Sequence, residues 1–206
     1  MKVLLLNGSP RENGTTFRAL LEVSKSLNEN GIDTEIVTVG NKEISGCKLC
    51  GICKRNDVCA DKFVTEIINK INLADGLVVG SPVYYASING TLKCLLDKVF
   101  FAKKSFAYKP AAAVAVARRA GTTASIDIIN KYFTLSNMPV ISSQYWNNVF
   151  GSNGEQAESD IEGLQTMRVL GKNMAWLIKC IKAGEKAGIM PPEEENHVKT
   201  NFYKNK

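Results

Sequence analysis

Histidine is nearly missing from this chain, which has one, His197, in a polar stretch after Pro191-Pro192. Hydrolase chemistry relayed through an imidazole is therefore not expected. Long hydrophobic runs are missing too. The longest, 110–117, falls far short of the roughly 20 apolar residues a membrane span needs. The stretch Met1-Lys2-Val3-Leu4-Leu5-Leu6 is too short for a secretory signal before it meets Asn7-Gly8-Ser9. A soluble cytoplasmic protein with no membrane partner and mostly reduced thiols is expected. The net charge is +6, part of it from Lys199, Lys204 and Lys206 after the acidic run 193–195. With no basic stripe interleaved with aromatics, no nucleic-acid partner is expected. Neither the GxGxxG dinucleotide fingerprint nor the GxxxxGK[ST] phosphate loop is present, which disfavours a Rossmann dehydrogenase and a P-loop ATPase.

What is there is an ordinary globular composition: 206 residues, 45% hydrophobic and 22% charged. One domain over 1–185 and a solvated tail over 186–206 are expected. Short runs rich in Val, Leu and Ile alternate with amphipathic stretches, the pattern of β-α-β units around a parallel sheet. Strands are predicted at 2–6, 33–39, 74–80, 110–117 and 138–142. Phe17, Leu20, Leu21 and Leu27 make one helical face, and Val64, Ile67, Ile68 and Ile71 a second. A third helix starts near Ile88 and passes Leu92, Leu95, Leu96 and Val99; a fourth runs over 121–135. The last, 155–185, carries Ile161, Leu164, Leu170, Met174, Leu177, Ile178 and Ile181. Five parallel strands with helices on both sides form a doubly wound, three-layer α/β/α fold. Such folds bind ligands outside the carboxyl ends of the strands, where strand order reverses.

The loop after the first strand is Asn7-Gly8-Ser9-Pro10-Arg11-Glu12-Asn13-Gly14-Thr15-Thr16. Gly8 and Gly14 permit tight turns, Ser9, Thr15 and Thr16 offer hydroxyls, and Arg11 brings positive charge. A helix start adds unpaired amides and its dipole, so the loop reads as a cradle for a phosphate monoester. After the third strand comes Gly80-Ser81-Pro82-Val83-Tyr84-Tyr85-Ala86-Ser87-Ile88-Asn89-Gly90, after the fourth Ala117-Arg118-Arg119-Ala120-Gly121-Thr122-Thr123, and after the fifth Ser143-Gln144-Tyr145-Trp146-Asn147-Asn148.

These loops together resemble those of the flavodoxin-like NADPH-dependent FMN reductase family, over residues 1 to about 183. The resemblance implies that Ser9, Arg11, Gly14, Thr15 and Thr16 take the FMN phosphate. It also implies that Pro82 and Val83 stiffen the flavin-ring loop and that Tyr84 or Tyr85 lies against the ring, with Arg118, Arg119 and Gly121 completing the pocket. The family often has Gly-Asn-Thr where this chain has Gly14-Thr15-Thr16, an exchange of amide for hydroxyl that keeps a donor. NAD(P)H or ferredoxin as electron donor, a small-molecule or protein acceptor, and a homodimer or homotetramer are implied in the same way.

Four of six cysteines fall within thirteen residues as Cys47-x2-Cys50-x2-Cys53-x5-Cys59, inside an insertion at 44–60. Such spacing turns thiols toward one point, which suits an iron-sulfur cluster; a zinc site, a redox thiol pair and simple packing remain alternatives. The run is similar to the cluster motif of iron-sulfur flavoproteins, which hold a 4Fe-4S cluster beside FMN. That likeness implies electron relay between FMN and a cluster. The alternatives are an NAD(P)H-dependent FMN, quinone or nitro/azo-compound reductase without a cluster, and a non-enzymatic electron carrier or zinc-stapled module. Gly46, Lys48, Gly51, Lys54 and Arg55 suit a cluster of net negative charge. Cys94 and Cys180 are expected to be core thiols.

Overall fold

A computed structural model describes the chain except residues 57, 103–104, 194, 197, 199, 201 and 203–206. The expectations for His197, Lys199, Lys204 and Lys206 fall outside the described residues. Strands β1 (Lys2–Asn7), β2 (Asp33–Thr38), β3 (Gly76–Tyr84), β4 (Ser87–Ile88), β5 (Ala111–Ala117) and β6 (Asn148–Phe150) alternate with seven described helices. These are α1 (Thr15–Glu29), α2 (Cys53–Asn56), α3 (Lys62–Leu73), α4 (Gly90–Ala102), α5 (Thr122–Leu135), α6 (Gly154–Ser159) and α7 (Ile161–Lys186). The strand order is β2-β1-β3-β5-β6, all parallel, and β4 folds back antiparallel on β3.

The apolar runs are continuous because the central strands are covered on both faces. Alternation divides their side chains between two cores. Leu4, Leu6, Leu77 and Val79 face α3, α4 and α5, where Ile67, Leu95 and Phe133 are buried. Val3, Leu5, Val78, Ala112 and Val114 face α1 and α7, meeting Leu20, Leu27, Met167, Leu170 and Met174. No described helix is long and apolar enough to cross a membrane.

Two predicted elements differ. The fifth strand is not continuous at 138–142; there Val140 makes a single bridge to Ala111, and the paired strand is Asn148–Phe150. The sequence offset across this edge is 29 at Ala111↔Val140 and 33 at Ala115↔Asn148, so four extra residues loop out. Ser143 holds this excursion, its hydroxyl reaching Asn147 Oδ1 and the Tyr145 carbonyl, both at 2.7 Å. The last helix breaks at Asp160, whose carboxylate caps α7 through the Gly163 amide at 3.0 Å and also accepts the Phe150 amide at 2.7 Å. One residue thus ends α6 through its backbone amide, and its side chain starts α7 and ties it to β6. Ile161 follows that cap and is exposed rather than packed.

Two further corrections concern thiols. Cys180 is exposed and Cys94 half-buried. The buried stripe of α7 runs through Met167, Leu170, Met174 and Ile178, and Cys180, two residues beyond Ile178, turns away from it.

Candidate active site

Strand order reverses between β1 and β3, and an open cleft of about 300 Å³ lies at their carboxyl ends. Its lining includes Ser9, Arg11, Gly14, Thr15, Thr16, Pro82, Val83, Tyr84 and Arg118. The two loops approach closely: the Gly8 amide donates to the Gly80 carbonyl at 2.8 Å, and a Cβ on Gly8 would meet that oxygen at 2.8 Å.

The phosphate-side loop is rigid from its first residue. Asn7, fully buried, accepts the Ser9 amide on its side-chain oxygen at 3.0 Å and donates to Thr38 Oγ1 at 3.2 Å. Ser9 Oγ accepts the Arg11 amide at 3.1 Å. Thr15 Oγ1 is shared between the carbonyls of Gly151 and Asn153, and the Arg11 guanidinium donates to the Ser152 carbonyl at 3.2 Å. Two groups are left over. Gly14 caps α1 without a side-chain hydrogen bond, so first-turn amides remain free for an anion, and no acid stands in that turn. Thr16 Oγ1 is buried with no hydrogen-bond partner among the described residues. An orphaned buried hydroxyl beside an uncapped helix start is what a phosphate monoester completes. The residues present therefore fit FMN.

On the ring side, Pro82, Val83 and Tyr84 end β3. Tyr85 leaves the cleft: it is the first residue of the β3–β4 turn, at φ +51° and fully exposed. Arg119 is exposed and does not line the cleft either. Gly121 supports the cleft from behind; at φ +89°, a Cβ there would stand 2.9 Å from Val83 Cγ1. Pro10, Val116, Ala117, Gly151 and Ser152 also line the cleft and were not singled out from the sequence. The turn Gly151-Ser152-Asn153-Gly154 carried a usable signal, since Asn153 caps α6 through the Gln156 amide at 2.8 Å. It was obscured because the strand feeding it was placed too early.

All six cysteines are free thiols. By kind and number the four in the insertion fit a cluster, and no side chain crowds Gly46 or Gly51 beside them. Their positions are spread. Cys47 and Cys50 are exposed, Cys53 and Cys59 are half-buried against the core, and among the described residues no three His, Cys, Asp or Glu side chains share a metal-sized space. Leu49 at φ +52° and Gly51 at φ +78° curl the backbone on either side of Cys50.

Residues 1–152 match the family model for NADPH-dependent FMN reductase. The chain belongs to that family. Iron-sulfur flavoproteins recur among the relatives of this FMN reductase family member. One from Methanocaldococcus jannaschii is 33% identical over 192 residues, covering 88% of this chain and all of its own. Among solved structures, RosB with bound 8-demethyl-8-formylriboflavin-5'-phosphate superposes with a TM-score of 0.71 at 16% identity, over 98% of this chain and 92% of that one. A flavodoxin from the domain Archaea gives 0.61 at 14% identity, over 87% and 99%. The fold is flavodoxin-like, and the protein is an FMN-dependent oxidoreductase.

Proposed function

We propose that this FMN-dependent oxidoreductase takes electrons from NAD(P)H or a ferredoxin-type donor and passes them on through a 4Fe-4S cluster held by Cys47, Cys50, Cys53 and Cys59. The observation that carries the flavin part is the orphaned Thr16 hydroxyl beside the uncapped start of α1. FMN supplies acceptance of a hydride and release of electrons singly. The chain's own residues bind and tune. Ser9, Arg11, Gly14, Thr15 and Thr16 hold the phosphate, with Arg11 braced on the Ser152 carbonyl. Pro82, Val83 and Tyr84 form the wall for the ring, and the bare Gly121 leaves room for the Val83 side chain. Arg118 offers positive charge where reduction builds negative charge. No side chain is assigned as a general acid or base.

Support for the cluster is the spacing of the four thiols and the presence of iron-sulfur flavoproteins among the relatives. The spread of those thiols favours a second reading, a reductase of free flavin, quinones or nitro- and azo-compounds without a cluster. An anaerobic absorbance spectrum with iron, sulfide and zinc counts separates the readings. Flavin bands with a broad iron-sulfur absorbance and stoichiometric iron and sulfide support the relay; flavin bands alone support the simpler reductase. Zinc without flavin, or no FMN uptake on reconstitution, overturns both. Oxidation of NADPH by the protein alone excludes a pure electron carrier.

A further inference from the structure

The insertion at 44–60 is loose in its middle and fastened at its ends. Near the entrance, the Lys42 ammonium stands 5.8 Å from the centroid of the Phe63 ring, in the first turn of α3. At the exit, Thr65 grips the backbone of Cys59 from both sides: its hydroxyl donates to the Cys59 carbonyl at 2.9 Å and accepts the Cys59 amide at 3.1 Å. Two residues on, Asp61 uses one carboxylate oxygen to cap α3, accepting the Phe63 and Val64 amides at 3.1 and 3.3 Å. The other oxygen accepts Lys98 Nζ at 3.0 Å. Lys98 is 7% exposed, on α4, the helix that leads out of the ring-side loop.

A buried ammonium is costly to keep. A pair with one buried partner is a weak argument for stability, and here it ties Asp61, at the start of α3, to α4. The geometry it fixes is that of the first turn of α3, from which Thr65 holds one thiol-bearing residue, Cys59. Of the four cysteines, Cys59 is the one whose backbone Thr65 holds; Cys53 is half-buried in the short α2, and Cys47 and Cys50 lie exposed on a stretch without helix or strand.

We propose that Lys98 is a positioning residue for the cysteine site: through Asp61 it clamps the start of α3, from which Thr65 holds the Cys59 backbone, so that the rest of the segment closes a cluster around one preset ligand. This rests on the cluster reading above. It adds that the spread thiols are an open state with a fixed anchor, and that assembly consists of bringing the other three to Cys59.

The test uses the full-length protein and three variants: Lys98→Met, Lys98→Arg and Asp61→Asn, the last of which retains a capping side chain. Each is checked for fold by circular dichroism and for FMN affinity, which is expected to stay within twofold of wild type. After anaerobic reconstitution with iron and sulfide, Lys98→Met and Asp61→Asn are expected to lose cluster to a chelator at least fivefold faster than wild type, while Lys98→Arg retains most of the wild-type lifetime. In metal-free protein, alkylation followed by peptide mass spectrometry reads the clamp directly. Cys59 is expected to react at least fivefold faster in Lys98→Met and Asp61→Asn, with Cys47 and Cys50 unchanged. Wild-type chelator resistance and wild-type Cys59 reactivity in both variants would overturn the clamp. A wild type that takes up no iron or sulfide overturns the cluster reading and the positioning role with it, and the alkylation rates then show separately whether the contact itself holds Cys59.

Discussion

Thr16 poses the sharpest question at the scale of single residues. A buried hydroxyl without a partner costs stability, so its retention points to a ligand that supplies the partner. Thr16→Val should raise the FMN dissociation constant about tenfold, the lower end of what a hydrogen bond to a charged group contributes. The same substitution should leave the apoprotein's thermal midpoint unchanged or higher. Flavin fluorescence titration and calorimetry check both halves; an apoprotein that melts earlier with unaltered FMN affinity would refute the assignment. Glu35 is a different case. Lys2 and then Lys70 hydrogen-bond its carboxylate and hold it below the usual glutamate value near 4.5. A depressed carboxylate stabilises the fold above its unfolded value and loses that contribution as pH falls through the folded one. Glu35→Gln should therefore cost about 0.5–1 kcal/mol at pH 7 and progressively less below pH ~4.5, measured by urea unfolding at both ends.

At the scale of elements, the loop after β1 is built by close backbone approach. A Cβ on Gly40, just past β2, would stand 2.2 Å from the Gly8 carbonyl oxygen and 2.4 Å from the Ser9 carbonyl carbon. Backbone cannot swing aside as a side chain can. Gly40→Ala should cost about 2–4 kcal/mol in chemical denaturation and displace the phosphate loop, weakening FMN at least tenfold. Such backbone contacts carry no sequence signature, because a glycine after a strand is common whether or not another loop packs on it. By contrast, β1, β3 and β5 were legible because buried parallel strands must be apolar on both faces, and Val64, Ile67, Ile68 and Ile71 marked α3 because its one buried face repeats at helical spacing. The edge strand failed this reading for a physical reason. Its bridge at Val140 and its paired stretch at 148–150 are separated by a polar excursion, and the apolar run at 138–142 mimicked a complete strand. The phosphate loop is legible as chemistry, glycines and hydroxyls before a helix, while Gly151 and Ser152 are legible as a turn before a helix cap but not as cleft residues, because the register of β6 brings them there.

The whole molecule depends on a helix beyond the residues matched to the family model, which end at 152. Met167, Leu170, Met174, Ala175 and Ile178 of α7 close the core over Val3, Leu5, Val78 and Val114. Burying each of the larger ones contributes about 1.5–3 kcal/mol, so their sum rivals the roughly 5–15 kcal/mol that holds an entire domain. A chain cut after residue 152 should lose cooperative thermal unfolding and bind a hydrophobic dye, whereas one cut after Ala187 should unfold as the full protein does. The looped-out segment at 142–147 has a consequence at this scale as well. An open parallel sheet presents bare amides and carbonyls along its outermost strand, an invitation to pair with a neighbouring molecule. Here that rim is reduced to one bridge and three residues, parted by a self-bonded turn that carries Tyr145 and Trp146 outward. No straight run remains along this edge of the sheet on which a stray strand could grow. The irregularity that hides the fifth strand from the sequence pattern thereby guards the β6 edge against pairing with a neighbouring molecule.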